Sequence, residues 1–289
     1  MHKAGFVNIF GKANAGKSTL MNALVGEKLA IVSPKVQTTR HRITGIVTTP
    51  EYQIVFSDTP GIIDPRYRLH EKMMGAVKSA LEDADVAMLL MDAKDNLEEN
   101  LELFGSLKLK ARSILVINKS DLLMKDELDA LVKKCEEWGK AEKVVVISAL
   151  QGKGVPALLQ TVVGLLPESD PFYPEDTLTD KSTRFFVAEI IREKIFHLFD
   201  EEIPYHTAVI VTQYQEKNTL IKISAEIIVT RETQKAIILG DKGASIKKIG
   251  TLARQDIEKF VGQKVFLELF VKVRSKWRDN DIYLREYGY

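Results

Sequence analysis

The chain has 289 residues, of which 45% are hydrophobic and 28% are charged, a balance typical of soluble globular proteins. No apolar run approaches the ~20 residues that a membrane-spanning helix needs, and the polar N-terminal dozen does not fit a secretory signal. Cys135 is the single cysteine. An internal disulfide is therefore excluded, and a reducing, cytoplasmic location is expected.

Charge is unevenly distributed, although the net charge is only +1. Residues 235–278 carry eleven Lys or Arg against four acids, whereas residues 175–202 carry eight acids against four bases. The balanced total gives no reason to expect DNA as a partner. The basic C-terminal region nevertheless favours a polyanion at that end.

The first half of the chain alternates apolar runs with helix-period stretches. Strands are predicted at residues 5–10, 52–57, 85–91, 112–117 and 143–147, and helices at 72–82, 97–107, 124–137 and 154–165. Between the first two runs, TTRHRITGIVTT (38–49) predicts a loop leading into an edge strand. This order predicts an α/β domain with a mostly parallel sheet and helices on both faces.

The alternation stops at PESDPFYPEDTLTD, residues 167–180, where three prolines and five acids predict a linker. Beyond it the pattern predicts a smaller α+β domain. Its order is helix 182–198, strands 206–215 and 219–229, helix 231–239, a helix to about 260 and a strand at 264–273. We therefore predict two domains, 1–168 and 182–289, joined by a linker at 169–181.

GKANAGKS, residues 11–18, follows the first strand and matches the G-x-x-x-x-G-K-[ST] pattern of phosphate-binding loops. Its glycines let backbone N–H groups curl around phosphate oxygens, and the next helix adds its positive end. Lys17 can reach the β- and γ-phosphates, and the Ser18 hydroxyl can ligate Mg²⁺. In DTPG, residues 58–61, the Asp58 carboxylate can hold Mg²⁺ through water and the Gly61 N–H can approach the γ-phosphate.

NKSD, residues 118–121, follows another strand and indicates guanine as the base. The Asp121 carboxylate can accept hydrogen bonds from guanine N1–H and the 2-amino group, and adenine offers neither, which can give ~10⁴–10⁵-fold rejection. Asn118 can bond the base edge and brace the phosphate loop, while the Lys119 stem can lie over the purine. In ISA, residues 147–149, a backbone N–H could meet guanine O6.

These motifs in this order resemble the translation-factor-related GTPases over residues 5–165. In that class a switch threonine closes over Mg²⁺ and the γ-phosphate, and QTTRH within residues 31–44 resembles that element. Thr39 is the favoured ligand and Thr38 is the alternative. The loop is expected to order with GTP and loosen after hydrolysis.

Ile62 stands where Ras-like proteins carry the glutamine that orients the attacking water. Slow intrinsic hydrolysis is therefore expected. In related GTPases that lack this glutamine, a phosphate-loop asparagine helps hold K⁺, which neutralises transition-state charge. The resemblance thus suggests that Asn14 holds K⁺; the alternative is that Asn14 only caps the loop.

GDKG, residues 240–243, lies between two predicted helices, and its surroundings resemble a type II KH domain. In that module the G-x-x-G loop clamps about four nucleotides of a single strand. The expected phosphate contacts are Lys242, Lys247 and Lys248. Four isoleucines, at 237, 238, 246 and 249, line the groove or fill the core.

The closing strand, VKVRSKWRDN (271–280), alternates basic and apolar residues. Lys272, Arg274 and Lys276 would place positive charge on one strand face. Trp277 either stacks on a base or anchors the C-terminal tail.

With REKIFHLFDEEIPY (192–205), the whole series of motifs resembles the Era family of bacterial ribosome-assembly GTPases over about residues 5–287. The resemblance implies GTP and Mg²⁺ as ligands, and binding of the 16S rRNA 3′ end and the small ribosomal subunit. It also implies peripheral contact at the inner face of the cytoplasmic membrane, and a cytoplasmic monomer is expected. Two rival interpretations are a GTPase switch whose second domain binds protein or membrane, and a kinase, which would not explain NKSD.

The candidate site residues follow from these motifs. Catalysis is assigned to Lys17, Thr39, Gly61 and Asn14, and metal binding to Ser18, Thr39 and Asp58. Nucleotide binding is assigned to Gly11, Lys12, Ala13, Asn14, Ala15, Gly16, Lys17, Ser18, Thr19, Asp58, Thr59, Pro60, Gly61, Ile62, Asn118, Lys119, Ser120, Asp121, Ser148 and Ala149. RNA binding is assigned to Gly240, Asp241, Lys242, Gly243, Lys247, Lys248, Lys272, Arg274, Lys276 and Trp277.

Overall fold

The computed structural model describes residues 2–33 and 35–289. The chain forms two compact units. The first takes the described residues up to Pro65 together with His70–Asp180, and the second takes Arg66–Leu69 with Lys181–Tyr289. No helix in the described residues combines the length and apolar character needed to span a bilayer.

The first unit is built on a six-stranded sheet. Its strands are β1 (Lys3–Phe10), β2 (Ile43–Thr48), β3 (Tyr52–Asp58), β4 (Val86–Asp92), β5 (Arg112–Asn118) and β6 (Lys143–Val146). The helices are α1 (Lys17–Val25), α2 (Arg68–Asp83), α3 (Leu97–Ser106), α4 (Lys125–Glu137) and α5 (Val155–Leu165). The strand order is β2-β3-β1-β4-β5-β6, and only the edge pair β2–β3 is antiparallel. The predicted α/β class and the predicted edge strand are confirmed.

Apolar clusters lie against both faces of this sheet, as the unbroken apolar strands require. One cluster packs Leu20 of α1 and Leu158 of α5 on β1, β3 and β4. The other packs Val77 of α2 and Phe104 of α3 on β1 and β4. The order of strands reverses at β1, whose neighbours β3 and β4 lie on opposite sides. Such a reversal opens a crevice at the carboxyl ends of the strands, and open α/β sheets bind their ligands in that crevice.

The predicted linker is largely bound to the first unit rather than free. We call residues 167–180 the strap. The backbone N–H of Ile46, on the outer edge of β2, donates to Leu178 O at 2.8 Å, and the Gln53 Oε1 accepts from the backbone N–H groups of Phe172 and Tyr173. The ring of Phe172 lies 5.0 Å from that of Phe6. The strap thus satisfies backbone groups that an edge strand would otherwise expose.

The second unit has a three-stranded sheet of order β7-β8-β9, in which β7–β8 is antiparallel and β8–β9 is parallel. Its elements in chain order are α6 (Thr183–Leu198), β7 (Ala208–Glu216), β8 (Ile221–Val229), α7 (Glu232–Leu239), α8 (Ala244–Val261), β9 (Val265–Val273) and α9 (Asp281–Glu286). The predicted α+β arrangement is confirmed. The short final helix α9 was not predicted.

Candidate nucleotide-binding site and the glycine turn of the second unit

The phosphate loop runs from the end of β1 to the start of α1 and turns through two left-handed residues. Asn14 has φ 64° and Gly16 has φ 98°. A Cβ on Gly16 would lie 2.2 Å from the Asn118 side-chain nitrogen. Only glycine fits there, since a contact that short cannot be accommodated without moving Asn118.

Lys17 is the buried cation of this loop. It is 6% exposed, and its Nζ donates to the carbonyl oxygens of Gly11 at 3.1 Å and Lys12 at 2.8 Å. Burial lowers the pKa of Lys17 to about 8, although the nearby Asp58 carboxylate acts in the opposite direction. The loop therefore holds an ammonium whose charge is poorly solvated and is ready to pair with phosphate.

Three oxygen side chains meet beside Lys17. The Ser18 hydroxyl donates to Asp58 Oδ2 at 2.6 Å, the Thr39 hydroxyl donates to the same oxygen at 3.1 Å, and the two hydroxyls lie 2.9 Å apart. Burial raises the pKa of Asp58, while Lys17 and the two hydroxyl donors oppose the rise. The buried Asp58 Oδ1 has no hydrogen-bond partner among the described residues.

Hard oxygen ligands around an unsatisfied carboxylate oxygen fit Mg²⁺. Of the two threonine alternatives, Thr39 is the one whose hydroxyl lies in this cluster. The Thr38 hydroxyl instead donates to Lys35 O at 2.7 Å.

Asn118 ties together the loops at the base end. Its Nδ2 donates to Ala15 O at 2.9 Å, and its Oδ1 accepts from the Ala149 N–H at 3.0 Å. Lys119 Nζ lies 2.7 Å from Asp92 Oδ2, which fixes the lysine stem. The Ala149 N–H is therefore not a spare donor, and a contact from it to guanine O6 would be shared with Asn118.

Asp121 and Ser148 also line the cavity, but they differ in burial. Ser148 is buried, and its N–H donates to Lys153 O at 2.9 Å. Asp121 is exposed in the absence of a base. The free-energy cost of leaving this carboxylate unpaired against adenine would therefore arise only when the base covers it.

These residues enclose a cavity of about 410 Å³ within the first unit. Its lining brings together the phosphate loop, the switch residues 35 and 37–39, Gly61 and the two base motifs. Several lining residues were not predicted as ligands, among them Gln37, Leu122 and Leu150. Gln37 lies within the predicted switch, and the two leucines follow directly after NKSD and ISA, so adjacency to a motif was the available signal.

Three predicted nucleotide residues direct their side chains to other parts of the first unit, so their predicted nucleotide contacts would be made by the backbone. The Lys12 ammonium points to α3, where its Nζ lies 2.7 Å from Glu99 Oε2. The Thr59 hydroxyl donates to Ile9 O at 2.6 Å and is buried. Ile62 packs against the apolar cluster beside α2 and α3.

In the second unit, GDKG forms a tight turn between α7 and α8. Gly240, Lys242 and Gly243 have φ values of 71°, 47° and 81°. A Cβ on Gly240 would lie 2.3 Å from Ser245 Oγ. Asp241, Lys242, Lys247 and Lys248 are all exposed. The turn thus presents an uncovered backbone and three lysines at the start of a long helix.

The four isoleucines beside this turn divide between the two expected roles. Ile238 and Ile249 are fully buried in the core of the second unit. Ile237 is exposed and Ile246 is half-buried. The latter pair is therefore available beside the turn, whereas the former pair is not.

The basic residues of the closing strand have partners within the second unit. Val271 and Val273 of β9 pack in the core with the helices, so Lys272 between them points to the opposite sheet face, where it pairs with Glu226. Arg274 lies over the Tyr283 ring. The expected RNA contacts of Lys272, Arg274 and Lys276 therefore remain predictions, and Lys272 would make its contact from the sheet face opposite the helices.

In this structure Trp277 anchors the C-terminal tail, which is the second of its two expected roles. It is 0% exposed, its Nε1–H donates to His206 O at 3.1 Å, and its ring packs with Tyr287 and Tyr289. A base cannot stack on this indole, because apolar packing already covers it. The assignment of Trp277 to RNA contact is therefore wrong for this conformation.

Comparison with known proteins matches both units. Residues 6–119 match the family described as 50S ribosome-binding GTPase, and residues 202–278 match the family described as KH domain. The chain is 42% identical over 292 residues to GTPase Era of Carboxydothermus hydrogenoformans, with 100% of this chain and 98% of that protein covered. It is 47% identical over 291 residues to GTPase Era of Thermosipho melanesiensis, covering 99% and 97%.

Two solved structures are similar over the full length. One is Era in complex with MgGDPNP and nucleotides 1506–1542 of 16S ribosomal RNA, with TM-score 0.96, 39% identity, and 100% and 99% of the chains covered. The other is a variant of Aquifex aeolicus Era bound to GDP and AlF₄⁻, with TM-score 0.95, 39% identity and 99% of each chain covered.

Proposed function

This chain belongs to the Era family of GTPases, and from that premise we propose that it binds the single-stranded 3′ end of 16S rRNA through its KH domain and assists assembly of the small ribosomal subunit. One observation carries the proposal. The chain aligns in full with an Era structure whose ligands are MgGDPNP and 16S rRNA nucleotides 1506–1542. An exposed G-x-x-G turn at residues 240–243 supports an RNA role for the second unit.

In the proposed mechanism the first unit hydrolyses GTP by positioning it. Backbone N–H groups of the phosphate loop and the buried Lys17 hold the β- and γ-phosphates, and the Gly61 N–H approaches the γ-phosphate. Ser18, Thr39 and Asp58 would hold Mg²⁺, which neutralises charge developing on the phosphates. Because Thr39 belongs to the switch, its proposed contact with Mg²⁺ would link the position of that loop to the bound nucleotide.

Base selection is proposed to rest on Asp121, with Asn118 holding the loop geometry. The carboxylate accepts from guanine N1–H and the 2-amino group, and adenine would leave a newly buried acid unpaired. Lys119, held by Asp92 at 2.7 Å, presents its stem to the purine face.

We further propose K⁺ as an accessory cation held with the help of Asn14, whose left-handed backbone places it on the cavity wall. Added positive charge beside the β- and γ-phosphates would offset the charge that builds up as the bond breaks.

The RNA proposal predicts that the glycine turn takes the nucleic-acid backbone. The exposed lysines at 242, 247 and 248 supply charge, and the exposed Ile237 and half-buried Ile246 supply apolar contact. Ordering of the switch by GTP is proposed to raise RNA affinity. The strap offers a route, since it bonds to β2 immediately after the switch and then leads into the second unit.

The test measures binding of short RNAs ending in the small-subunit 3′ sequence to the full chain, with GDP or a non-hydrolysable GTP analogue. Lys242→Ala/Gly243→Ala is expected to weaken binding about tenfold or more. The matched control is Lys259→Ala/Gly262→Ala at the other end of α8, since Gly262 also has positive φ and open space around it. RNA affinity that is equal with both nucleotides contradicts coupling, and an unaffected turn variant contradicts the RNA site.

Subunit choice is a separate arm of this test. The family that matches residues 6–119 is described as 50S ribosome-binding GTPase, whereas the RNA in the similar Era complex is 16S ribosomal RNA. Sedimentation with purified 30S and 50S subunits is expected to show retention on 30S. Binding to 50S alone would overturn the small-subunit proposal.

A monomer in the cytoplasm with peripheral contact at the inner membrane face completes the proposal. Light scattering checks the oligomeric state, and co-sedimentation with anionic lipid vesicles checks the membrane contact. Vesicle binding that persists in the turn variant, with RNA binding absent from the unmodified protein, would favour the rival membrane-binding switch.

A further inference from the structure

Position 62 cannot supply the group that orients water in this GTPase. The Ile62 side chain can neither donate nor accept a hydrogen bond, and it packs into the apolar cluster beside α2 and α3. It is also absent from the described lining of the nucleotide cavity. Another group must therefore orient the attacking water, and a polar side chain on the cavity wall is able to do so.

The described lining contains three amide side chains: Asn14, Gln37 and Asn118. Asn118 is committed to Ala15 O and the Ala149 N–H at the base end. Asn14 belongs to the phosphate loop itself. Gln37 remains, and it lines the same cavity as Thr39 and Gly61, the residues proposed to act at Mg²⁺ and the γ-phosphate.

Gln37 is held in a constrained position. Its backbone has φ 58°, a left-handed value that a non-glycine residue adopts at some cost. Its side-chain Oε1 lies 3.2 Å from Nε2 of His70, near the start of α2. His70 is only 3% exposed. A buried ring on the segment after DTPG thus fixes an amide of the switch loop.

We propose that Gln37 orients the attacking water during GTP hydrolysis and that His70 positions Gln37. The amide oxygen has two lone pairs, one for His70 and one for a water O–H, while the amide NH₂ can donate to a γ-phosphate oxygen. The water oxygen bonds to the γ-phosphorus as the bond to the β–γ bridging oxygen breaks. The electron pair stays on GDP, and the water proton passes to a γ-phosphate oxygen, giving GDP and inorganic phosphate. Gln37 is unchanged.

This inference rests on GTP hydrolysis alone and is independent of the RNA proposal, because its test contains no RNA. The test measures single-turnover hydrolysis and the affinities for GDP and for GDP with aluminium fluoride. Gln37→Ala is expected to slow hydrolysis about 10–100-fold and to weaken aluminium fluoride trapping in parallel, with GDP affinity within about twofold of the unmodified protein. Val36→Ala, an exposed neighbour outside the cavity lining, is the control. An unchanged rate, or an equal loss of GDP affinity, overturns the proposal.

The positioning role of His70 has its own measurement. His70→Ala is expected to slow hydrolysis less than Gln37→Ala, and the double variant is expected to match Gln37→Ala alone. His70→Asn, which keeps a polar partner for the amide, is expected to retain most of the rate. Effects that add in the double variant would show that His70 does not act through Gln37.

Discussion

The phosphate loop of the first unit and the glycine turn of the second solve a similar local problem in different surroundings. Each places a left-handed glycine directly before a helix, Gly16 before α1 and Gly243 before α8. Around the first, Lys17 is 6% exposed and Asn118 fills the space that a Cβ would need. Around the second, Lys242 is exposed and no atom lies within 4 Å of a Cβ built on Gly243. A closed wall suits one small ligand, whereas an open turn suits successive phosphates of a flexible chain.

The largest expected effect tests the selectivity of the closed site. Asp121→Ala is expected to reduce the preference for GTP over ATP by about 10⁴-fold, because the variant no longer buries an acid that only guanine satisfies. Competition of each nucleotide against labelled GDP measures the ratio. Asp126→Ala, an exposed acid on α4, is the control. An undiminished preference would remove Asp121 from base recognition.

The second effect tests whether burial makes Lys17 more important than Lys12 for the affinity for GTP. Lys17→Ala is expected to weaken GTP binding about 10²–10³-fold, since it removes a buried charge and leaves Asp58 without its neighbouring cation. Lys12→Ala in the same loop should change affinity by less than about threefold, because its ammonium pairs with Glu99 at a partly exposed site. Calorimetry at matched Mg²⁺ compares the two. Similar losses would contradict the difference between the side chains.

A third, smaller effect concerns the accessory cation. GTP hydrolysis in KCl is expected to exceed that in NaCl by about tenfold, which corresponds to ~1.4 kcal/mol of barrier. Asn14→Ala should abolish the difference while leaving hydrolysis in NaCl little changed. Equal rates for the unmodified protein in the two salts would exclude the cation proposal.

The smallest expected effect concerns the salt dependence of RNA binding at the open glycine turn. Lys242→Ala is expected to reduce the slope of log affinity against log salt by about 0.7 for single-stranded RNA, as expected for one lost phosphate contact. Lys259→Ala, whose side chain is 80% exposed at the far end of α8, should leave the slope unchanged. Fluorescence anisotropy over a salt series measures both. A slope equal to that of the unmodified protein would contradict a phosphate contact at Lys242.

The strands and most helices were predictable because their signals are local. Apolar runs such as 112–117 identify buried strands, and GKANAGKS carries its loop, its helix start and its chemistry in eight consecutive residues. The helix α9 was missed because a segment of six residues is too short to show a clear helical period.

The misses share a dependence on distant partners. Ile46 and Gln53 lie more than 100 residues before the strap that they bind, so composition alone indicated a linker but not what it binds. Trp277 follows a basic strand in sequence but is covered by Tyr287, Tyr289 and the carbonyl of His206. The preference for Thr39 over Thr38 was not a miss, but only the folded loop shows that the Thr39 hydroxyl turns towards Asp58.

The strap has a practical consequence for dissecting the protein. A fragment ending at 168 would leave the outer edge of β2 uncovered and the Gln53 amide without its bonds to residues 172 and 173. Unpaired strand edges of this kind recruit other chains and promote aggregation. A fragment of the first unit intended for crystallisation or calorimetry should therefore extend to Asp180.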